Sequence, residues 1–307
     1  MKISLCIATY RRPDRLALLL DDLTRQTLQP IEVAIVDNHA EGSARAVVEE
    51  RRRLGAPWTI HYGIQPERNI ALTRNRSVEA AGNGDWIAFI DDDERAPPTW
   101  LQQLADALVQ LSADAVLAPV VPVVPAQAPA WLRAGRFYDF PRMPTGTVVP
   151  LNRMRFGNVI IRGDLLRAEP GPFDVSFGLS TGEDGDLLSR LATKGARIVW
   201  CDEAIVTEPV ESSRLSLHWL LQRAISGGQE FARKSVTGLY GPMSRSARFR
   251  LFAIAGAQAV VALLLALLML PAGRHRAATW LVRSATNLGK LTVMAGWRYS
   301  EYAKTMP

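Results

Sequence analysis

The chain is poor in cysteine and lacks the features of a secreted protein. Its 307 residues include only two cysteines, Cys6 and Cys201, each inside a short apolar run. Their spacing matches neither a CxxC metal pair nor a redox motif, so we interpret both as reduced core thiols, as in a cytosolic domain. The first apolar run is short and is followed at once by Arg11 and Arg12, which predicts that no signal peptide is present.

Acidic residues are almost absent from the last part of the chain. Residues 245–307 contain nine lysines and arginines but a single acid, Glu301, which gives this segment a net charge of +8. Because the whole chain carries +6, residues 1–244 carry −2. The basicity therefore belongs to the tail, and we expect no nucleic-acid partner for the nearly neutral body of the protein.

A long hydrophobic run lies inside this basic tail. Residues 251–270 contain one polar side chain, Gln258, and are long enough to cross a bilayer. Residues 277–299 form a second, more amphipathic stretch. Because basic residues flank the first run at both ends, a hairpin or a shallow insertion is favoured over one clean span. A buried core helix is the alternative.

Short apolar runs alternate with helical patterns over the first 120 residues. The runs ISLCIA, IEVAIVD, WTIHY and WIAFI predict strands, as do FGNVIIR and ARIVW farther along the chain. Helices are predicted from Pro13, over 71–81, over 99–111 and after the run TGED. This alternation indicates an α/β fold, with a Rossmann-like, mostly parallel sheet and helices on both faces. The proline-rich residues 119–150 predict a long irregular excursion.

Three adjacent carboxylates, Asp91 to Asp93, directly follow the apolar run WIAFI. Like charges side by side at the end of a buried strand are costly unless a cation neutralises them. Hard divalent ions such as Mg²⁺ or Mn²⁺ take carboxylate and phosphate oxygens. Ligands of parallel sheets bind outside the carboxyl ends of the strands, where Thr9, Tyr10 and Asp37 also fall. The pattern predicts a metal site, with a solvated acidic turn as the alternative.

Three blocks of the chain together carry a resemblance to a known family. They are ISLCIATYRRPDRLALLLDDLTRQTLQPIEVAIVDN, NIALTRNRSVEAAGNGDWIAFIDDDE and GEDGDLLSRL. In composition and joint spacing the blocks resemble the family 2 glycosyltransferases, which are inverting enzymes of the GT-A fold that use nucleotide sugars. The likeness covers residues 3–235. Within the family, the chain looks most like bacterial exopolysaccharide enzymes of the succinoglycan glucosyltransferase type.

The resemblance implies a nucleotide pocket formed by Thr9, Tyr10, Asp37 and Arg74. Tyr10 would stack on the base, and Asp37 would accept a hydrogen bond from the N–H of the base ring. The fork of Arg74 suits phosphate or carbonyl oxygens, although an exposed helix arginine is the alternative. An aromatic ring and a carboxylate suit uracil, which favours UDP.

The resemblance also assigns the carboxylate run. In the family, the first carboxylate of a D-x-D block contacts the ribose and the last ligates the metal. By this assignment Asp91 would contact the donor and Asp93 would ligate the metal. Asp92 could replace either of them because three aspartates are adjacent. Glu208 stands where many relatives have a metal-binding histidine, and it could complete a Mg²⁺ or Mn²⁺ site.

The block TGED matches the second carboxylate block of the family. Asp184 would be the general base that takes the proton from the acceptor hydroxyl, with Glu183 as the competing assignment. Both could instead be helix-start charges, which is how we interpret Asp186. One base acting on one face gives a single displacement with inversion at the anomeric carbon.

These expectations predict a hexosyltransferase that moves one hexose, such as glucose, from a UDP-sugar to a lipid-linked oligosaccharide or polysaccharide acceptor. Its GT-A domain would cover 1–240, with a nucleotide-binding half over 1–118 and an acceptor and catalytic half over 119–240. C-terminal membrane-associated helices over 245–307 would hold the enzyme at the cytoplasmic face of a bacterial inner membrane. The alternatives are a nucleotidyltransferase acting on sugar phosphates, although ATYRRPDR lacks the usual phosphate-loop glycine, and a non-catalytic membrane scaffold.

Overall fold

The computed structural model describes residues 1–82, 84–169, 171–177 and 182–296. The strands are β1 Ile3–Thr9, β2 Glu32–Asp37, β3 Thr59–Ile64, β4 Trp86–Phe89, β5 Ala115–Leu117, β6 Val120–Val123, β7 Val159–Arg162, β8 Ile198–Trp200 and β9 Val206–Pro209. The α-helices are α1 Pro13–Thr24, α2 Arg45–Leu54, α3 Ile70–Ala80, α4 Trp100–Gln110, α5 Ala130–Gly135, α6 Gly163–Arg167, α7 Glu183–Thr193, α8 Leu217–Val236, α9 Arg245–Leu268 and α10 Arg274–Thr292.

The chain forms two compact units. Unit one contains Met1–Val121 and Phe140–Glu208, and unit two contains Pro122–Asp139 and the chain from Pro209 onward. The domain division expected from the sequence, at about residue 240, stays a prediction.

Within the described residues, unit one is built on a seven-stranded sheet with the order β3-β2-β1-β4-β7-β5-β8. Strands β1 to β4 run parallel to one another, and β5 runs parallel to β8. Strand β7 is antiparallel to both β4 and β5. The register pairs Thr9 with Asp37, so the polar residues that end β1 and β2 lie side by side. The mostly parallel sheet is confirmed.

Successive side chains of a strand point to opposite sides of the sheet, and in β1 both sets include apolar residues. Helices therefore cover both faces. Ile3, Leu5 and Ile7 of β1 belong to one core cluster with leucines of α1 and α4. Cys6 points the other way, into a second cluster with residues of α3 and α7. Both cysteines are free and buried, and burial raises the pKa of the Cys6 thiol to about 12. Their interpretation as core thiols is confirmed.

Several elements differ from the sequence-based expectation. Helix α2 is absent from the sequence-based expectation because most of its residues are charged, and Val48 is its buried residue. The excursion expected over 119–150 contains β6 and α5, and β6 pairs with β9 in a separate two-stranded sheet. The last residues of the predicted stretch 277–299 lie outside the described part of the chain.

Unit two contains a layer of three long helices, in which α10 packs against both α8 and α9. A Cβ atom added to Gly228 of α8 would lie 2.9 Å from the carbonyl carbon of Thr286 in α10. One added to Gly289 of α10 would lie 2.9 Å from the carbonyl carbon of Ile225 in α8. The two backbones therefore approach so closely that each helix needs a residue without a side chain at the crossing.

Helix α9 packs on α10 through a stripe of small residues. Ala255, Ala259, Ala262 and Ala266 are buried, and Ser284 of α10 donates a hydrogen bond to the carbonyl of Ala259 at 2.8 Å. Among the described residues, α9 is the one helix that is long and apolar enough to cross a membrane, a criterion of length and composition alone. Some core helices of soluble proteins meet this criterion as well.

Candidate active site

The three aspartates that follow β4 have different surroundings. The side chain of Asp91 is 45% exposed, whereas those of Asp92 and Asp93 are each 6% exposed. Asp91 is therefore the member of the run that solvent reaches most easily, and the other two are held inside the protein.

Asp92 and Asp93 differ in the hydrogen bonds that their carboxylates accept. Asp92 uses both of its oxygens, accepting from the hydroxyl of Thr9 at 2.7 Å on Oδ2 and from Arg12 at 3.3 Å on Oδ1. Asp93 accepts from Arg12 at 2.6 Å and from Arg15 at 3.4 Å, both on Oδ2. Within the described residues, this leaves Oδ1 of Asp93 without a hydrogen bond. The geometry leaves Asp93 with more ligating capacity than Asp92.

Arg74, on α3, is buried and joins two of the candidate carboxylates. Its guanidinium donates to Oε1 of Glu183 at 2.6 Å and lies 3.5 Å from Oδ1 of Asp91. The rings of Phe156 and Phe173 lie 4.9 Å and 5.7 Å from the same group. Aromatic faces attract a cation, so these rings fix the position of the guanidinium as well as pack against it. The alternative of an exposed helix arginine is wrong.

The two carboxylates at the start of α7 are not equivalent. Glu183 is buried, and burial raises its pKa to about 7, with Arg74 opposing the shift and Asp184 adding to it. Asp184 is partly exposed, and among the described residues its carboxylate accepts a hydrogen bond only from the backbone amide of Gly185, at 2.6 Å. Asp186 is bound instead by Arg190, at 2.8 Å, which agrees with its interpretation as a helix-start charge. Of the three, Asp184 is the carboxylate best able to meet an incoming substrate.

Glu94 is a buried acid of this site that the sequence reasoning did not assign. It is 2% exposed, and it accepts a hydrogen bond from the backbone amide of Asp91 at 3.2 Å. Burial raises its pKa well above the usual range, and the negative charges of Asp91, Asp93 and Glu208 act in the same direction. Its place directly after the aspartate run was the available signal.

The expected base-binding residue Asp37 lies at the end of β2 and is fully buried. Its carboxylate accepts hydrogen bonds from the backbone amides of His39 and Ala44, at 2.9 Å and 2.7 Å. The hydroxyl groups of Ser43 and Tyr62 each donate to it as well, at 3.2 Å. These four donors match the acceptor capacity of a carboxylate, so in this structure Asp37 shapes the loop after β2. Its contact with a nucleotide base stays a prediction.

Tyr10 lies after β1 and is partly exposed. Its ring meets that of His39 edge to face at 5.9 Å, and the guanidinium groups of Arg11 and Arg68 lie 5.6 Å and 5.0 Å from its centre. A partly exposed ring beside two cations is suited to stack on a base whose phosphates are near. This role also stays a prediction.

The carboxylates present suit a hard divalent cation by their chemistry. Desolvation raises the pKa of Asp91, with Arg74 opposing and Asp93 and Asp184 adding to the shift. The acids therefore lie close enough to repel one another, and all of their donor atoms are oxygens. Within the described ranges, however, no three His, Cys, Asp or Glu side chains form a group arranged to hold a metal ion. Arg12 supplies positive charge to Asp92 and Asp93 in this arrangement.

Two arginines that follow β1, one before α1 and one in its first turn, are the second feature that the sequence did not predict. Arg12 and Arg15 lie in the run YRRPDR, which we read as the start of a helix. Their pairing partners are about 80 positions away in the sequence, as for Arg12 with Asp92. No local pattern predicts such a contact, because only the parallel pairing of β1 with β4 brings the two loops together.

The sheet order, with polar residues gathered at the ends of β1, β2 and β4, defines a GT-A glycosyltransferase fold. A mannosyltransferase of Pyrobaculum calidifontis, solved with GDP-Man and Mn²⁺, matches this chain with a TM-score of 0.63 and 17% identity over 96% of this chain and 87% of its own. TarS of S. aureus (residues 1–349), solved with UDP-GlcNAc, matches with a TM-score of 0.54 and 16% identity over 100% and 98%. The expected fold is confirmed.

The chain belongs to glycosyltransferase family 2, whose family model, "Glycosyl transferase family 2", matches residues 4–162. It is 36% identical to the succinoglycan biosynthesis protein ExoM of Rhizobium meliloti over 239 residues, which are 76% of this chain and 75% of ExoM. It is 25% identical to a glucosyl-dolichyl phosphate glucuronosyltransferase of Haloferax volcanii over 244 residues, or 74% and 75% of the two chains. The protein is thus a glycosyltransferase, and the alternative of a sugar-phosphate nucleotidyltransferase is set aside.

Proposed function

We propose that the protein transfers a single hexose from a UDP-sugar to a lipid-linked saccharide acceptor, with inversion at the anomeric carbon. The observation that carries this proposal is the position of Asp184. It is partly exposed at the start of α7, next to Glu183, and Arg74 links Glu183 at 2.6 Å to Asp91 after β4 at 3.5 Å. A base and a donor-binding carboxylate are thereby neighbours, as a single displacement requires.

The donor is proposed to bind along the ends of β1, β2 and β4. Tyr10 stacks on the base, Thr9 and Asp37 line the nucleoside pocket, and Arg74 holds phosphate oxygens. UDP is favoured because an aromatic ring and a carboxylate suit uracil, and because the related fold of TarS was solved with UDP and with UDP-GlcNAc. The mannosyltransferase was solved with GDP-Man, so GDP is the nucleotide whose binding should be compared with that of UDP.

Asp91 and Asp93 are the residues proposed to hold Mg²⁺ or Mn²⁺, with Glu208 completing the set. Asp92 is the less suitable ligand because both of its oxygens are already used by Thr9 and Arg12. A divalent ion at this place would stabilise the negative charge of the departing diphosphate. Asp92 would then hold the loop after β4 in place through Thr9 and Arg12, and it could also contact the donor.

Asp184 is proposed as the general base, and Glu183 as the residue that positions it and Arg74. The buried carboxylate of Glu183 is bound by Arg74, whereas that of Asp184 is reachable from solvent. Removal of a proton by a positioned base contributes roughly 10²- to 10⁴-fold to a rate. The acceptor hydroxyl would lose its proton to Asp184 while it attacks the anomeric carbon.

The acceptor is proposed to be carried by a lipid at the cytoplasmic face of a bacterial inner membrane. The name of the Haloferax relative describes a sugar-bearing dolichyl phosphate, and ExoM is named for the synthesis of a polysaccharide. The basic, apolar segment 245–307 would keep the enzyme at that surface. Anionic head groups favour such a segment by about 1 kcal/mol for each basic residue close to them.

The test compares Asp184→Asn with Asp186→Asn, because Asp186 is a neighbouring helix-start acid that Arg190 already binds. We expect Asp184→Asn to lose turnover by about 10²-fold or more while its Mn²⁺-dependent binding of UDP stays near that of the wild type. Asp186→Asn should retain most activity. Wild-type turnover in Asp184→Asn would exclude it as the base.

A second measurement fixes the substrates. UDP-glucose, other UDP-sugars and GDP-mannose are offered with lipid-linked acceptors, and the anomeric configuration of each product is determined. We expect turnover with a UDP-hexose and an inverted product. Turnover with GDP-mannose alone, or a product that keeps the donor configuration, would overturn the proposal, and no turnover with any pair would favour the scaffold.

A further inference from the structure

Unit two contains a groove between α9 and α10, lined by residues that have no role in the proposed transfer reaction. Its volume is about 450 Å³, which falls within the range of roughly 300–1,000 Å³ of small-molecule sites. The wall is almost entirely apolar, and it is formed by residues of both helices. They include Gln258, Val261, Ala262, Trp280, Arg283 and Asn287.

Arg283 is the charged residue among those that line this groove, and no carboxylate in the described part of the chain pairs with it. Its guanidinium lies 4.5 Å from the centre of the Trp280 ring, and within the described residues it forms no ion pair. Residues 231–296 contain nine lysines and arginines but neither aspartate nor glutamate. The nearby amide of Asn287 is engaged by its own helix, donating to the backbone carbonyl of Arg283 and accepting from Lys290. Over the ranges that the structure describes, the groove therefore combines an apolar wall with a cation that has no anionic partner.

The outer face of α9 is apolar, and none of the residues that the structure describes covers it. While its alanine stripe packs on α10, the opposite side exposes Val260 by 60%, Leu264 by 61%, Leu267 by 58% and Leu268 by 67%. This surface is continuous with the groove because Val261, 54% exposed, belongs to its lining. A lipid chain lying against α9 can thus enter the groove without crossing a polar barrier.

The packing of α9 on α10 indicates that the pair lies in the plane of a membrane. If α9 crossed the bilayer, α10 would be carried in with it, together with Arg283 and Lys290. Charged groups at the centre of a bilayer are strongly unfavourable. An in-plane arrangement avoids this cost, because one face of α9 meets the acyl chains while the basic residues stay at the level of the head groups.

We propose that this groove binds an anionic phospholipid of the bilayer, with one acyl chain between α9 and α10 and the phosphate on Arg283. A guanidinium binds phosphate through charge-assisted hydrogen bonds, and its contact with Trp280 holds it at the edge of the apolar wall. The inference deepens the membrane location given under the proposed function, and it concerns lipid binding rather than sugar transfer.

The test uses the full chain and phosphatidylcholine vesicles with or without phosphatidylglycerol brominated on its acyl chains. Bromine quenches indole fluorescence on close approach, so phosphatidylglycerol in the groove should quench Trp280. Trp280→Phe, which removes that indole, should lose this part of the quenching. Quenching of the same size in Trp280→Phe would place the chain elsewhere and overturn the inference.

The role of Arg283 is tested with Arg276→Gln as the matched control, since Arg276 is exposed on the same helix and does not line the groove. Loss of any surface charge weakens binding to anionic vesicles about fivefold. Loss of a direct phosphate contact should weaken it about tenfold or more in Arg283→Gln, with partial recovery in Arg283→Lys. Equal effects of the two glutamine variants would overturn the inference.

Two further outcomes would also overturn it. A polyprenyl phosphate that quenches Trp280 where phosphatidylglycerol does not would assign the groove to a lipid carrier. A dimer that covers the outer face of α9 and prevents quenching would assign that face to a second copy of the chain. None of these measurements contains a sugar donor, so a failure here leaves the proposed transfer reaction to its own test.

Discussion

Replacement of Gly228 by alanine tests the contact between α8 and α10 directly. The added methyl group would lie closer than 3.0 Å to backbone atoms of Thr286, a distance that real Cβ atoms essentially never show. Because the obstacle is a helix backbone, it cannot rotate away as a side chain could. The matched control is Gly227→Ala, one position earlier in α8, where an added Cβ meets nothing within 4 Å.

Both variants gain helix propensity, but only Gly228→Ala introduces a steric clash. Alanine is preferred to glycine inside a helix by about 1 kcal/mol, so Gly227→Ala should be neutral or slightly stabilising. Insertion of a methyl group into a closed contact costs about 1–3 kcal/mol or more, which applies to Gly228→Ala alone. We therefore expect the free energy of unfolding of Gly228→Ala to be about 1–3 kcal/mol lower than that of Gly227→Ala.

The assay is thermal unfolding in detergent, followed by the fluorescence of tryptophans in unit two. For a folding unit between 100 and 150 residues, 1 kcal/mol shifts the midpoint by about 4 °C, so the expected difference between the variants is measurable. Gly289→Ala, which places a methyl group against the backbone of Ile225, should resemble Gly228→Ala. Midpoints that agree between Gly227→Ala and Gly228→Ala would refute the close backbone contact.

Two other predictions concern the active site. Burial raises the pKa of Glu183 from an ordinary 4.5 to about 7, so the folded protein keeps a proton that the unfolded chain releases. The free energy of unfolding should thus fall as the pH rises from 4.5 to about 7, and urea titrations of Glu183→Gln should show a flatter profile over that range. For the metal, calorimetric titration with Mn²⁺ and UDP should show a larger loss of affinity in Asp93→Asn than in Asp92→Asn, because no described residue donates a hydrogen bond to Oδ1 of Asp93. A larger loss in Asp92→Asn would reverse the assignment.

The sheet was predictable because its strands are continuous apolar runs, and burial on both faces of a parallel sheet leaves that pattern in the chain. The direction of β7 was not, since an apolar run does not encode whether it pairs parallel or antiparallel. Helix α2 was not predicted either, because most of its residues are charged and few apolar side chains mark its buried face.

The residue types of the site were also predictable, but their division of work was not. The run Asp91 to Asp93 predicted a place for a cation, yet the distinction between its members depends on Thr9 and Arg12, which are distant in the sequence. In the same way, the separation of Glu183 from Asp184 depends on Arg74, 109 positions from Glu183. Spacing finds the carboxylates, and tertiary contacts decide which of them stay available to a substrate.

The burial of both thiols makes the protein insensitive to thiol chemistry near neutral pH. With the pKa of Cys6 at about 12 and that of Cys201 raised by burial, almost none of either residue is the reactive thiolate. Alkylating agents and mild oxidants should therefore leave the native chain unmodified, even though Cys6 lies on the strand that leads to Thr9. A cysteine introduced at Val260 would be the most reactive thiol of the protein, so a single fluorescent or spin label could report how deeply α9 enters a bilayer.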